Sequence, residues 1–152
     1  MSIKKIRKLK KLYKTAFFCS RQCPAEIVLK SLDWAKSKKD KKECVMSCFH
    51  SRIEKDVFDL LLKGTQPLIM VLARGMKKRW PKEIKMAVQQ EKLLIISPFD
   101  KKITYITQET ANKRNEIMIN LADEVFLAYA TPNGNLDELL KETKNKKIEM
   151  FK

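Results

Sequence analysis

Short runs of consecutive apolar residues recur along the chain, separated by longer segments whose apolar positions repeat every three to four residues. The runs fall at residues 15–19, 43–47, 67–73, 93–97 and 125–130. Continuous apolarity over so few residues predicts strands buried on both faces. The intervening segments predict helices. Pro24 suits the first turn of one, with Ile27, Val28, Leu32, Trp34 and Ala35 on a broad face. Ser51 predicts the cap of a second, whose stripe is Ile53, Val57, Leu60 and Leu61 and which Gly64 ends. Pro81 opens a third with Ile84, Ala87 and Val88. After a polar stretch at 100–108, a fourth is expected over about 109–122. Asn135 is expected to cap a fifth with Leu136, Leu139 and Leu140.

Apolar strands alternating with amphipathic helices are the signature of βαβ units. The expected fold is therefore α/β: a Rossmann-like, doubly wound, mostly parallel sheet of about five to six strands flanked by helices. Residues 15–143 make this domain. Residues 1–14 form a basic arm, with Ile3, Ile6, Leu9 and Leu12 at helical spacing among lysines. Such an arm either packs its stripe on the domain or touches an anionic surface. Residues 144–152 form a basic tail or an edge strand through Ile148 and Met150. No internal repeat is present.

Composition sharpens this picture in two ways. With 152 residues, 44% of them hydrophobic, the chain can bury a real core, to which Trp34 and Trp80 are expected to contribute. Its formal net charge of +15 attracts polyanions without choosing among nucleic acid, nucleotide and anionic membrane. Solubility alone is the plainer account of that charge. No apolar run is long enough to span a bilayer, and the charged N-terminus lacks a secretory pattern.

Cys19, Cys23, Cys44 and Cys48 form two C-x3-C pairs near His50. A zinc site is disfavoured, because Cys44 and Cys48 straddle a strand and so lie roughly 13 Å apart. Reduced thiols in a cytoplasmic protein are the expected state, with no metal and no cofactor.

In open parallel sheets, ligands bind beyond the carboxyl ends of the strands. The residues falling there are Ser20 and Arg21, then Ser47, Phe49, His50 and Ser51, then Arg74 and Gly75, and finally Thr131, Gly134 and Asn135. Arginines, hydroxyls and helix N-termini suit phosphate oxygens. Glycine at Gly75 and Gly134 permits close backbone approach. Arg114 interrupts an apolar stripe made by Ala111, Met118 and Leu121, where a charge must be paired or reach a ligand. A salt bridge to Asp123 is the structural alternative. His50, the only histidine, is read as a polar rim residue before a general base.

These segments carry a resemblance. Ser20-Arg21, the stretch from Ser47 to Glu54, Gly75 with Trp80-Pro81, Ile96-Ser97-Pro98, and Lys113-Arg114-Asn115 followed by Leu121-Ala122-Asp123 appear in the order of motifs in the DprA/Smf family of DNA-processing proteins. That family lies within the wider SLOG group, which also contains the LOG-type nucleotide phosphoribohydrolases. The resemblance covers about residues 15–142. Cys19, Cys48 and Arg52 stand where the family has glycines, which restricts backbone approach to phosphate. The LOG-type phosphate loop is matched at Gly134 and Glu138 only.

The resemblance implies a binding module for phosphate-bearing ligands, single-stranded nucleic acid or nucleotide. Arg21, Arg74 and Arg114 are the expected anchors, Asn115 accompanies Arg114, and Phe49 is expected to stack on a base. The alternatives are a LOG-type nucleoside monophosphate hydrolase using Arg114 and Glu138, and a nucleotide sensor without chemistry. A homodimer remains open.

Overall fold

The computed structural model describes residues 11–151. The expected basic arm falls mostly on residues 1–10, outside the described residues. Within them, Leu12 already packs on the core and Lys14 opens the first strand.

Six strands form one sheet: β1 (Lys14–Cys19), β2 (Cys44–Ser47), β3 (Leu68–Val71), β4 (Leu93–Ile96), β5 (Glu124–Tyr129) and β6 (Lys147–Met150). Their order is β4-β3-β2-β1-β5-β6, and every neighbouring pair is parallel. Five helices connect them: α1 (Ala25–Lys41), α2 (Arg52–Leu62), α3 (Lys82–Gln89), α4 (Gln108–Leu121) and α5 (Asn135–Glu142). The chain steps outward from β1 to β4, then crosses back to place β5 on the other side of β1. The winding therefore reverses between β1 and β5, and the helices that follow these two strands lie on opposite faces of the sheet.

Alternation along each strand divides the core into two layers. Phe17, Val45, Leu68, Met70 and Phe126 face α1, α2 and α3. Ala16, Phe18, Met46, Ile69, Val71 and Val125 face α4 and α5. Phe17, Leu61, Leu68, Ile69 and Met118 are almost fully enclosed. Burial of such a side chain contributes about 1.5–3 kcal/mol. Trp34 stacks between Phe17 and Phe126, with ring centroids 4.8 and 4.9 Å away. Trp80 is only half-buried, and it lines a cleft as well as packing on the core.

The helix ends follow local chemistry. Ser51 caps α2 in a reciprocal box with Glu54, and Thr107 caps α4 in the same way with Thr110. Helix α2 stops at Leu62, and the Gly64 N–H then donates to the Leu61 carbonyl at 3.0 Å. The expected cap at Asn135 is corrected. Gly134 is the capping position of α5, Asn135 is already helical, and Asp137 supplies the carboxylate that accepts from the Asn133 N–H at 2.9 Å. Among the described residues, no helix is long and apolar enough to cross a membrane.

Candidate functional site

Because all six strands run the same way, their carboxyl ends share one edge of the sheet. The loops after β1 and β5 are sewn together there. Ser20 donates its N–H to the Tyr129 carbonyl at 2.8 Å, and its hydroxyl accepts from the Thr131 N–H at 3.0 Å. Gly134 and Asn135 follow at the start of α5.

Behind the rim lies a residue that ties the rim loops together. Glu54 is buried on the first turn of α2. One carboxylate oxygen accepts from the His50 N–H at 3.1 Å, the Ser51 N–H at 3.0 Å and the Cys48 thiol at 3.2 Å. The other accepts from the Cys19 N–H at 3.3 Å. The end of β1 and the loop after β2 are thus tied to one buried charge. Its signal in the sequence was the Ser51-x-x-Glu54 capping spacing, which gives no hint of the reach to β1.

The Glu54 carboxylate thereby takes the His50 and Ser51 N–H groups at the start of α2. Ser51 accepts from the Glu54 N–H at 3.2 Å, and Ser47, fully buried, accepts from the Phe49 N–H at 3.2 Å. Both hydroxyls are thus engaged with the backbone. Phe49 has a left-handed backbone with φ 49°, and its ring is 5% exposed and packs on Phe58 at 4.5 Å. It is largely enclosed where it borders the cleft.

Gly75 packs closely against the loop at residues 100–103. Its φ is not positive, and an added Cβ would strike the Asp100 carbonyl and come within 2.6 Å of the Lys101 Cα. Its N–H donates to the Ile103 carbonyl at 2.7 Å. Ser97 completes this corner by donating to the Arg74 carbonyl at 2.7 Å.

What the rim does present is guanidinium. Arg114 on α4 is 8% exposed. Its Nε and Nη2 both donate to Asn115 Oδ1 at 3.2 Å, which orients the group. Among the described residues it makes no ion pair. Asp123, the alternative partner, binds Lys14 at 3.2 Å instead. Burial raises the Asp123 carboxyl, but the Lys14 N–H and ammonium outweigh it and hold it below the usual range. Arg114 opens onto a cleft of about 1020 Å³, together with Arg74 and His50. Arg21, outside the cleft wall, donates to His50 Nε2 at 3.3 Å. That bond requires a neutral imidazole. Burial, then Arg21 and Arg114, hold the His50 pKa below its ordinary value.

The expected residues therefore divide. Arg21, His50, Arg74 and Arg114 come together, with Asn115 behind Arg114. Ser20, Thr131, Gly134 and Asn135 gather on the adjoining β1–β5 side. Glu138 is exposed on α5 and does not line the Arg114 cleft. The four cysteines are free thiols. Burial pushes Cys44 up to about 12 and raises Cys19 and Cys48 further, so all three are poor nucleophiles. No group of three or more metal-ligating side chains converges among the described residues.

No family model and no curated protein matches the chain. Solved structures do. The chain is similar to DNA processing protein A from Helicobacter pylori, whose structure was described for its mode of binding single-stranded DNA. The TM-score is 0.73 at 17% identity, over 94% of this chain and 67% of that one. It is also similar to DNA processing protein A (DprA) from Streptococcus pneumoniae, with a TM-score of 0.71 at 19% identity over 94% of this chain and 51% of that one. This chain thus spans about two thirds of the first and half of the second. The fold is DprA-like.

Proposed function

We propose that this DprA-like domain is a binding module that holds phosphate-bearing ligands, single-stranded nucleic acid foremost, at its cationic strand-end rim. One observation carries the reading: Arg114 is buried, oriented by Asn115, without a carboxylate among the described residues, and open to a cleft it shares with Arg74 and His50. A buried guanidinium in that state is stabilised by an anion that arrives from outside. The similarity to a protein described as binding single-stranded DNA supports a nucleic-acid ligand.

The rim works through side chains. A phosphate loop needs free backbone N–H groups, and before α2 those of His50 and Ser51 are spent on Glu54. Recognition then rests on forked hydrogen bonds from arginines, which are indifferent to base identity. Weighing against hydrolysis of a nucleoside monophosphate is the place of Glu138, on the exposed side of α5 and away from Arg114. Four unpaired cysteines suit a reducing cytoplasm, the proposed compartment.

The test is fluorescence anisotropy with a labelled thymidine oligonucleotide at low salt. Arg114→Ala is expected to weaken binding about ten- to a hundredfold, the loss of a charge-assisted contact of about 1.5–3 kcal/mol. Arg114→Lys recovers part of this, because it keeps the charge and loses the fork. No binding by the wild type, or equal binding by Arg114→Ala, overturns the reading.

A further inference from the structure

The cleft does not end at the rim. From Arg114 and His50 it runs down the face of the sheet between α2 and α3, with Phe58 and Leu62 on one wall, Ile84 and Ala87 on the other, and Met70 and Leu72 at its base. Its volume, about 1020 Å³, lies at the top of the range of roughly 300–1,000 Å³ that suffices for one small organic ligand. A mononucleotide held at Arg114 leaves most of it unfilled.

The lining is apolar within and cationic at the lips. Lys55 and Lys63 project from α2, Lys77 lies in the loop before α3, and Lys92 stands at the far end. With Arg74 and Arg114 these outweigh the two acids of the lining, Asp59 and Glu83. Two aromatic side chains stand at the opening: Tyr105 is 81% exposed, and Trp80 holds the Lys77 ammonium 5.2 Å from its ring centroid. Lys55 and Lys63 lie eight residues apart on or beside one helix, so roughly 12 Å along its axis. That spacing is longer than one nucleotide and suits phosphates about two nucleotides apart on an extended strand.

We infer that this groove is a strand track: a single-stranded oligonucleotide anchored by one phosphate at Arg114 lays its following nucleotides between α2 and α3. Bases rest on the apolar base of the groove and against Trp80 and Tyr105, and phosphates meet Lys55, Lys63 and Lys77. Stacking of this kind tolerates any base, because every base has a π-face. Charge complementarity and continuity with the rim favour a nucleic-acid strand over an acidic amphipathic peptide. The inference rests on the phosphate-binding reading of the rim and extends it from a point to a line.

The experiment compares thymidine strands of two, six and twelve nucleotides binding to the full chain and to the double variant Lys55→Glu/Lys63→Glu. Circular dichroism serves as the check of folding. Wild-type affinity is expected to climb with length. The double variant is expected to lose about tenfold or more for the longest strand, with a shallower salt dependence by about two phosphate contacts, and little for the dinucleotide. Tyr105→Ala is expected to weaken the longer strands alone. Length-independent affinity, or a double variant that binds the longest strand like the wild type, overturns the track while leaving the rim in place. Failure of every strand to bind overturns the rim as well. Displacement of the twelve-nucleotide strand by an acidic helical peptide that binds more tightly also overturns it, by assigning the groove to protein.

Discussion

His50 accepts a hydrogen bond from Arg21 and sits between that guanidinium and Arg114. Its pKa in the free protein is lowered by burial first and by the two arginines next. A phosphate bound beside it adds negative charge and raises that pKa, so binding takes up a proton. Affinity should therefore increase as pH falls through the bound-state value. Measured oligonucleotide affinity should show this rise in the wild type and lose it in His50→Ala. A pH profile shared by both proteins separates His50 from the ligand. The same lowering makes the folded state lose stability as pH falls below the unfolded value of about 6.5, since the unfolded chain then binds more protons. At this scale the sequence was partly legible. Arg114 announced itself by standing inside an apolar stripe, a placement that burial alone makes conspicuous. Glu54 did not. Its carboxylate reads as an ordinary helix-capping partner until the end of β1 is brought alongside. Phe49 reads as a platform, an aromatic between polar residues, and its packing against Phe58 is not visible in the sequence.

At the level of elements, the strands and helices were legible from periodicity, and their ends were legible wherever a local cap decided them. Ser51 is the example. Asn135 shows the limit: a good capping residue sits one position late when an acid inside the helix, Asp137, satisfies the preceding N–H instead. Sheet order was not legible, since every apolar strand carries the same pattern whatever its neighbours. Gly75 illustrates how loop packing escapes a one-dimensional reading. It marks the crossing of the loop after β3 with residues 100–103, so Gly75→Ala must push backbone against backbone. The expected cost is about 1–3 kcal/mol, the usual penalty of overpacking. Urea denaturation should report it as a lower midpoint with an unchanged slope. An unaltered midpoint contradicts the tight crossing.

Across the whole molecule, parallel winding gathers loops from distant parts of the chain at one edge, and the groove between α2 and α3 carries that edge down one face. The net charge of +15 then acts at two ranges. Over longer distances it attracts polyanions, and under the proposed function a few oriented guanidiniums at the rim hold the phosphate. The first effect belongs to any basic protein, whereas the second depends on Arg21, Arg74 and Arg114 meeting a bound strand. The salt dependence of affinity separates them most directly. For a twelve-nucleotide thymidine strand, about four to six phosphate contacts predict a log–log slope of roughly −3 to −4, less steep by about 0.7 when Arg114 is replaced by alanine. A flat salt response, or a slope untouched by that replacement, would contradict the assignment of the rim to phosphate.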